Sequence, residues 1–154
     1  MTQIHGGPMA GKTVLVTGGT AGIGRATAMG LAMMGAHLGI TGRDRGRTEE
    51  AAAEIRAASG GQVDVFVADL SSQSEVRRLA EQVLQACPRI DVLVNNAALC
   101  RDRTILKMTD DEWDSVLRID LSGTFFMIQE CAKLMVKQKE GAIINIASIV
   151  GVRG

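Results

Sequence analysis

The chain has 154 residues, of which 46% are hydrophobic, and its charged side chains cancel to a formal net charge of zero. This length and apolar content suit one domain over residues 1–154, and the balanced charge does not indicate a nucleic-acid partner. No apolar run is long enough to span a membrane, and the N-terminus lacks the apolar stretch of a secretory signal, so we expect a cytoplasmic protein without membrane association.

The first pattern in the chain, GGPMAGKT at residues 6–13, fits the G-x-x-x-x-G-K-[ST] phosphate loop of nucleotide triphosphatases. Such a loop requires a preceding strand and a following helix, because backbone N–H groups and the helix N-terminus then converge on phosphate. Here only MTQIH precedes the loop, and the apolar residues 14–16 predict a buried strand directly after it. This order disfavours a triphosphate hydrolase, and Lys12 is interpreted as a solvated residue at the start of the strand.

A second glycine cluster, TGGTAGIG at residues 17–24, follows the predicted strand and leads into a helix-forming sequence. Strand, glycine turn and helix in this order are typical of a dinucleotide-binding site. Gly18 permits the tight turn, Gly22 lets the backbone approach a pyrophosphate, and Gly24 lets the helix pack close to the sheet. The alternative is a glycine-rich turn without a ligand, which the conformational cost of three glycines at one junction disfavours.

Strands and helices alternate along the rest of the chain. Further strands are predicted at residues 37–41, 62–70, 90–98 and 141–148, and helices within residues 25–36, 42–61, 71–86 and 109–138. Thr109 is the expected cap of the last helix. Because the strands are nearly continuous apolar runs, the pattern predicts a parallel sheet of about five strands covered by helices on both faces. This is a doubly wound α/β fold, similar to the Rossmann fold.

Arg43 lies nineteen residues after Gly24, at the end of the second predicted strand. An acidic residue near this position would bind the ribose hydroxyls of NAD, whereas a guanidinium suits a 2′-phosphate. The residue type therefore favours NADP(H) as the cofactor, with NAD less favoured. The alternative is a solvated loop arginine, since Arg45 and Arg47 follow closely.

The cysteines and histidines suggest no metal centre. Cys87, Cys100 and Cys131 are widely spaced and match neither a zinc pattern nor a disulfide framework, so we interpret them as reduced thiols. His5 and His37 have no partner cluster in the sequence. They are interpreted as surface or helix-end histidines.

Four motifs together make the chain, from Lys12 onward, similar to the short-chain dehydrogenase/reductase family. TGGTAGIG resembles the family's T-G-x-x-x-G-x-G. ADL, at the end of the third predicted strand, resembles the family motif whose aspartate binds adenine, here Asp69. NNAA resembles N-N-A-G, with Ala98 in place of glycine, and INIAS resembles the strand that carries the catalytic serine, here Ser148. The second half is most similar to carrier-protein ketoacyl reductases and the first half to retinol-dehydrogenase-like members, so the substrate is left open.

The resemblance implies a site and a mechanism. A tyrosine donates or accepts the proton at the substrate oxygen, a lysine lowers its pKa, a serine orients that oxygen and an asparagine supports a water relay, while the cofactor moves the hydride. The substrate would be a small carbonyl or alcohol, and a full-length version would be a homo-oligomer. The implied catalytic positions are Ser148 and Asp120, and the implied cofactor-binding positions are Gly18, Thr20, Gly22, Ile23, Gly24, Arg43, Asp69, Leu70, Asn96 and Ala97.

The sequence departs from the family in two ways. The relay asparagine of N-x-x-G is Asp120 in DLSG, which loses the amide donor and adds a charge. The Y-x-x-x-K motif is missing, since the chain contains no tyrosine and the motif would fall beyond residue 154.

We therefore expect a C-terminally truncated dehydrogenase with little turnover by itself, whose fifth strand is an open edge. The alternative is a dinucleotide-binding or interaction module without catalysis. An in-frame Y-x-x-x-K in the coding sequence past Gly154 would favour the enzyme.

Overall fold

The computed structural model describes residues 7–148, which form strands and helices in strict alternation up to the fourth strand. The strands are β1 (Thr13–Val16), β2 (His37–Gly42), β3 (Val63–Val67), β4 (Val92–Asn95) and β5 (Ala142–Asn145). The helices are α1 (Gly22–Met33), α2 (Arg45–Ser59), α3 (Gln73–Ala86), α4 (Asp110–Val116) and α5 (Thr124–Gln138), with a π segment (Leu117–Gly123) between the last two.

The five strands form one parallel sheet in the order β3-β2-β1-β4-β5, which confirms the predicted doubly wound fold. β1 is central, because Val14 pairs with Leu38 of β2 on one side and with Val92 of β4 on the other. The chain first builds the sheet outward through β2 and β3, and then returns to the opposite side of β1. The reversal leaves a crevice at the carboxyl ends of β1 and β4, where sheets of this type bind ligands.

Alternation along the strands supplies a separate core to each face of the sheet. Val14 and Val16 of β1 are buried with the alanine-rich sides of α1 and α2, whereas Leu15 between them is buried on the face covered by α3 and α5. Small alanine side chains such as Ala28 and Ala52 let α1 and α2 lie close to the strands. Both faces of the sheet are thereby covered by packed helices, and its carboxyl edge is left for the cleft.

Side-chain caps fix the starts of α2, α3 and α4. Asp44 Oδ1 accepts a hydrogen bond of 2.8 Å from the Arg47 amide at the start of α2, and Gly60 ends that helix with φ of 68°. At α4 the predicted cap is confirmed, because Thr109 and Glu112 exchange the reciprocal bonds of a capping box. None of the described helices combines the length and the apolar character needed to cross a membrane.

The helix predicted over residues 109–138 is interrupted by the π segment. Asp120, in this segment, accepts a hydrogen bond of 2.7 Å at Oδ1 from the Leu99 amide. Gly123 lies so close to the loop after β3 that a Cβ there would be 2.8 Å from the Leu70 carbonyl oxygen. One extra residue in the turn accommodates both contacts, and π bulges of this kind frequently occur at functional sites.

The strands predicted at residues 62–70 and 90–98 are shorter in the structure. After β4, the amides of Asn96 and Ala97 each donate a hydrogen bond of 3.0 Å to Thr17 Oγ1. These amides therefore serve the glycine turn that follows β1. The ends of the two predicted strands, residues 68–70 and 96–98, line the cleft at the carboxyl edge of the sheet.

Lys12, interpreted as a solvated residue at the start of the strand, has a side chain that is 40% exposed and also takes part in ion pairs. Its Nζ lies 2.9 Å from Glu140 Oε1 and 3.3 Å from Asp91 Oδ1, and Arg89 pairs with the same two carboxylates. Asp91 is buried and also accepts a hydrogen bond from the Thr13 amide. The loop before β1 thus ends in an ion-pair network, and the order of loop and strand is as predicted.

The interpretation of His37 as a histidine without a partner cluster is wrong. His37 Nε2 lies 2.7 Å from Asp64 Oδ2, and Cys87 Sγ lies 3.4 Å from the same oxygen. Burial, and then the hydrogen bond to Asp64, raise the pKa of Cys87 to about 12, so that its thiol donates to the carboxylate. Residues far apart in sequence meet here because the strand register brings them to one edge of the sheet.

β5 is the outermost strand of the described sheet and pairs only with β4. Three of its four residues are exposed, and Ile144 has 48% of its surface accessible. An apolar strand with one unpaired side can add a further strand. Within the part of the chain that the structure describes, the predicted open edge is confirmed.

Candidate functional site

A cleft lies at the carboxyl ends of the strands, at the point where the sheet order reverses. It brings together most of the cofactor-binding positions predicted from the sequence. Its lining residues are Gly18, Thr20, Ala21, Thr41, Gly42, Arg43, Ala68, Asp69, Leu70, Asn96, Ala97, Ala98 and Ile119. Of the predicted positions, Gly22, Ile23, Gly24, Asp120 and Ser148 are not part of this lining.

The glycine turn between β1 and α1 forms the floor of the cleft. Gly18 has φ of 65°, and a Cβ at this residue would lie 2.8 Å from Ala97 Cα, so only glycine fits without displacing backbone. Gly22 has φ of 53° and is the first residue of α1. The backbone thus turns sharply at the end of the strand, as the sequence predicts.

The N-terminus of α1 has no side-chain cap. Ala21 occupies the cap position and cannot accept a hydrogen bond from the first turn, which also carries no acidic residue. The first amides of a helix need acceptors and carry partial positive charge. This helix end is therefore suited to bind an anion such as a phosphate, and α1 differs in this respect from the capped helices α2 and α3.

Gly24 acts through packing. A Cβ at Gly24 would lie 2.2 Å from Asn96 Nδ2 and 2.3 Å from the Gly18 carbonyl oxygen, so the absence of a side chain lets α1 meet the glycine turn. Its neighbour Ile23 points outward and has 66% of its surface exposed. Gly24 thus fits its predicted role in close packing, whereas Ile23 contributes nothing to the cleft in this structure.

Asn96 fastens the glycine turn to the end of β4. Its Nδ2 donates to the carbonyl oxygens of Thr17 and Gly18, both at 3.1 Å. Sequence reasoning missed Thr17, which is buried and whose hydroxyl oxygen accepts the two amides that follow β4. The sequence feature that could have indicated this role is the position of Thr17 as the first residue of the TGGTAGIG motif.

A basic groove adjoins the cleft at the end of β2. It is lined by Thr20, Arg43, Asp44 and Arg47, and Arg43 belongs to both the groove and the cleft. Asp44 is the only acidic residue in this lining, and one of its oxygens caps α2. The groove therefore presents two guanidinium groups beside one carboxylate that is already engaged by backbone.

Asp69 is held as a carboxylate in the lining of the cleft, just after β3 and next to the end of β2. The Ser71 amide donates to its Oδ1 at 2.9 Å and lowers the pKa of Asp69 against the opposing effect of burial, with smaller contributions from the Ser71 hydroxyl and the charge of Arg43. An ionised carboxylate is an acceptor only, so it suits an amino group on a ligand. Leu70, the next residue, is buried beneath it and supports the π segment.

The two predicted catalytic positions lie on different elements near the cleft. Asp120 is in the π segment, next to the lining residue Ile119, and its carboxylate is engaged by the Leu99 amide. Ser148 is exposed and lies three residues past the end of β5. The pairing of β5 with β4 continues one residue past β5, because the Ile146 amide donates to the carbonyl oxygen of Asn95, the last residue of β4, at 2.9 Å.

Sequence reasoning also missed Asn95, the last residue of β4. It is buried, its Nδ2 donates to Asn145 Oδ1 of β5 at 2.9 Å, and its Oδ1 has no hydrogen-bond partner among the described residues. The sequence feature that could have indicated this pair is an asparagine at the end of each of two apolar strands, Asn95 in β4 and Asn145 in β5. This pair fixes β5 against β4 beside the cleft.

Comparisons with known proteins agree with this geometry. A model of the short chain dehydrogenase family matches residues 12–154. A 3-oxoacyl-[acyl-carrier-protein] reductase of Aquifex aeolicus is 40% identical over 144 residues, which cover 94% of this chain and 58% of that protein. The chain thus spans little more than half the length of the curated relatives it matches.

Solved structures show the same architecture with either nicotinamide cofactor. A metagenomic short-chain oxidoreductase in complex with NADP has a TM-score of 0.88 and 35% identity, with 95% of this chain and 66% of that chain covered. A xylitol dehydrogenase with bound NAD+ has a TM-score of 0.91 and 32% identity, with 96% and 56% covered. By its sequence motifs, its sheet and these matches, the chain belongs to the short-chain dehydrogenase family.

Proposed function

We propose that this chain is the cofactor-binding part of an NADP(H)-dependent oxidoreductase that transfers a hydride between the nicotinamide and a carbonyl or alcohol substrate. The observation that carries the proposal is the uncapped N-terminus of α1, which faces a glycine turn at the switch point of a parallel sheet. Gly18 lets the turn approach Ala97 closely, and Gly22, where a Cβ would meet nothing within 4 Å, leaves open space for a ligand's pyrophosphate at the start of α1.

Separate residues would hold the two ends of the cofactor. The first turn of α1 would bind the pyrophosphate, Asp69 would accept a hydrogen bond from the adenine amino group, and Arg43 would pair with the 2′-phosphate. When bound, the cofactor supplies or accepts the hydride. The chain itself would position the cofactor, because hydrogen bonds of Asn96 to Thr17 and Gly18 hold the glycine turn against the end of β4.

The preference for NADP(H) over NAD rests on the basic groove. Arg43 and Arg47 line it together, and the carboxylate of Asp44 is partly engaged in capping α2 and is thus less available to ribose hydroxyls. The relatives do not decide the question, because their solved complexes include both cofactors.

The cofactor preference can be tested by fluorescence titration of NADPH and NADH. Arg43→Ala should remove a charge-assisted contact of about 1.5–3 kcal/mol, and thus a preference of roughly 10- to 100-fold. Arg45→Ala is the matched control, because Arg45 pairs with Glu49 within α2 and does not line the groove. Equal affinity of the parent chain for both cofactors would refute the NADP preference.

We further propose that these 154 residues alone turn over slowly. Ser148 would orient the substrate oxygen and Asp120 would position the loop after β4, but the chain contains no tyrosine to pass the proton. A positioned general acid is worth about 10²–10⁴ in rate. The test is NADPH oxidation with ketones, aldehydes and ketoacyl thioesters, for this chain and for an extended chain that supplies Y-x-x-x-K. Equal turnover by both chains would refute this mechanism.

The second candidate is a module that binds a dinucleotide or another polypeptide without catalysis. The exposed edge of β5 favours it, because an unpaired strand can recruit another chain. Binding of NADPH by the extended chain, without oxidation of any substrate in the panel, would favour this candidate over the enzyme.

A further inference from the structure

The edge of the sheet opposite the cleft carries a second group of ligand-type side chains. His37 is the first residue of β2, Asp64 lies at the start of β3, and Cys87 directly follows α3. We call these three residues the amino-edge cluster. The predicted function does not use any of them, since cofactor and substrate belong to the carboxyl ends of the strands.

Three donor atoms of different kinds meet in this cluster. Asp64 Oδ2 lies 2.7 Å from His37 Nε2 and 3.4 Å from Cys87 Sγ, and Nε2 and Sγ are 3.8 Å apart. Around a tetrahedral zinc ion with bonds of about 2.0–2.3 Å, neighbouring donor atoms are separated by about 3.3–3.6 Å. Both sulfur distances already match this geometry to within a few tenths of an ångström. The histidine and aspartate need to separate by roughly half an ångström, which exchanges their hydrogen bond for two metal bonds.

We propose that the amino-edge cluster is a binding site for a divalent transition-metal cation of borderline softness, with Zn²⁺ the best match. Imidazole nitrogen and thiolate sulfur select such a cation over Mg²⁺ and Ca²⁺, which take oxygen ligands. On binding the cation, Cys87 would release to solvent the proton that it now donates to Asp64, and the resulting thiolate and the carboxylate together would balance the two positive charges. Three protein ligands leave the fourth tetrahedral position to water.

The burial of the three side chains fits a cation that enters from solvent. The side chains of His37 and Asp64 are 24% and 28% exposed, whereas Cys87 is only 2% exposed. A cation can therefore reach the imidazole and the carboxylate directly. The thiolate below them would be shielded from oxidants.

The fold holds the ligands in fixed relative positions. In the β2–β3 register Gly39 lies opposite Asp64, so His37, two residues earlier, is on the same face of the sheet as Asp64. The buried pair of Leu38 and Val63 prevents a slip of this register. Because α3 covers this face and Pro88 disfavours a further helical residue at Cys87, the thiol is brought to the same point.

The charge environment also favours a cation. Cys87 caps the C-terminal end of α3, where the helix dipole is negative, and the last turn of α3 has no basic residue to offset it. Arg56 donates to the Val63 carbonyl oxygen, so in the described structure this guanidinium serves the backbone and not the Asp64 carboxylate. The partners of that carboxylate are thus the two side chains that would join it as ligands.

The site can be tested with the metal-stripped 154-residue chain and Co²⁺ as a spectroscopic probe. We expect one Co²⁺ per chain, a thiolate-to-cobalt charge-transfer band, and displacement of the cobalt by Zn²⁺. Cys87→Ser should abolish the band and weaken Zn²⁺ binding at least tenfold. The matched controls are Cys100→Ser, at an exposed thiol, and Cys131→Ser, at a buried one, and both should keep the band.

A second pair of variants separates loss of the site from loss of the fold. Asp64→Asn alters a partly exposed side chain, so circular dichroism should report a folded chain while Zn²⁺ affinity falls at least tenfold. His5→Gln removes the only other histidine and should bind as the parent does. The proposal is wrong if the parent shows no thiolate band, if the band survives Cys87→Ser, or if folded Asp64→Asn binds Zn²⁺ as tightly as the parent. None of these measurements requires a nicotinamide cofactor, so they are independent of the proposed function.

Discussion

Replacement of Gly24 by alanine tests whether α1 must touch the glycine turn. The added Cβ would lie 2.2 Å from Asn96 Nδ2 and 2.3 Å from the Gly18 carbonyl oxygen, and one of these neighbours is backbone that cannot rotate away. Either α1 moves outward or Asn96 leaves its position. In the second case the bonds from Asn96 Nδ2 to Thr17 and Gly18 are lost.

The expected cost follows from these contacts. Overpacking of a tight contact costs about 1–3 kcal/mol, and two lost hydrogen bonds cost about 0.5–1.5 kcal/mol each. The better helix propensity of alanine returns about 0.5–1 kcal/mol. We therefore expect Gly24→Ala to lower the free energy of unfolding by about 3 kcal/mol, a large part of the about 5–15 kcal/mol that stabilises a typical domain.

The measurement is urea unfolding of the parent and two alanine variants. Gly30→Ala is the matched control, because Gly30 lies in the same helix and a Cβ there would meet nothing within 4 Å. The control should be more stable than the parent by about 0.5–1 kcal/mol. If Gly24→Ala is as stable as Gly30→Ala, α1 and the glycine turn are not in the close contact described, and the argument for the site's rigidity is refuted.

Three further predictions concern residues outside the expected cofactor contacts. Thr17→Val should lower the free energy of unfolding by about 1–3 kcal/mol in urea, because two amides lose their acceptor; an unchanged value would mean that water replaces the hydroxyl. Lys12→Ala should leave calorimetric ATP and NADPH affinities unchanged, and a large loss of ATP affinity would restore the phosphate-loop interpretation. For Asp91, burial alone would raise the pKa, but hydrogen bonds from Arg89, the Thr13 amide and Lys12 outweigh it and lower the pKa below its ordinary 3.8. The stabilisation that the Asp91 carboxylate contributes is thus fully present above pH 3.8 and is lost as the pH falls through the lowered pKa of the folded chain. The difference in free energy of unfolding between the parent and Asp91→Asn should therefore shrink in acid. A difference that stays constant with pH would contradict the assignment.

Local patterns in the sequence were sufficient to predict the sheet and the glycine turn of the cleft. The glycines at 18, 22 and 24 follow an apolar strand directly, and apolar alternation with helical periodicity accounts for the doubly wound order. Arg43 could be placed at the cleft because carboxyl ends of parallel strands share one edge. Asp69 and the residues that follow β4 were expected there only because their motifs resemble those of the dehydrogenase family.

Contacts between distant residues could not be predicted in this way. In the π segment, Asp120 bonds to the Leu99 amide, which is 21 positions away in the sequence. The apolar periodicity of a helix does not reveal where one extra residue enters a turn. His37 and Cys87 are 50 positions apart and meet only because the strand register and the end of α3 coincide. The ion pairs of Lys12 likewise depend on the return of the chain to the sheet 79 and 128 residues later.

The hydrogen bonds after β4 connect the glycine turn, where the cofactor is expected, to the π segment that carries Asp120. Asp120 accepts a hydrogen bond from the Leu99 amide, the Ala97 amide two residues earlier donates to Thr17, and the side chain of Asn96, one residue before Ala97, donates to the carbonyl oxygen of Gly18. A ligand that stiffens the glycine turn also restricts the segment leading to the π segment. By thermodynamic linkage, order imposed at either end lowers the entropic cost of binding at the other. Under the proposed function, cofactor and substrate should therefore bind with positive cooperativity, which calorimetric titration of one ligand in the presence of the other would measure.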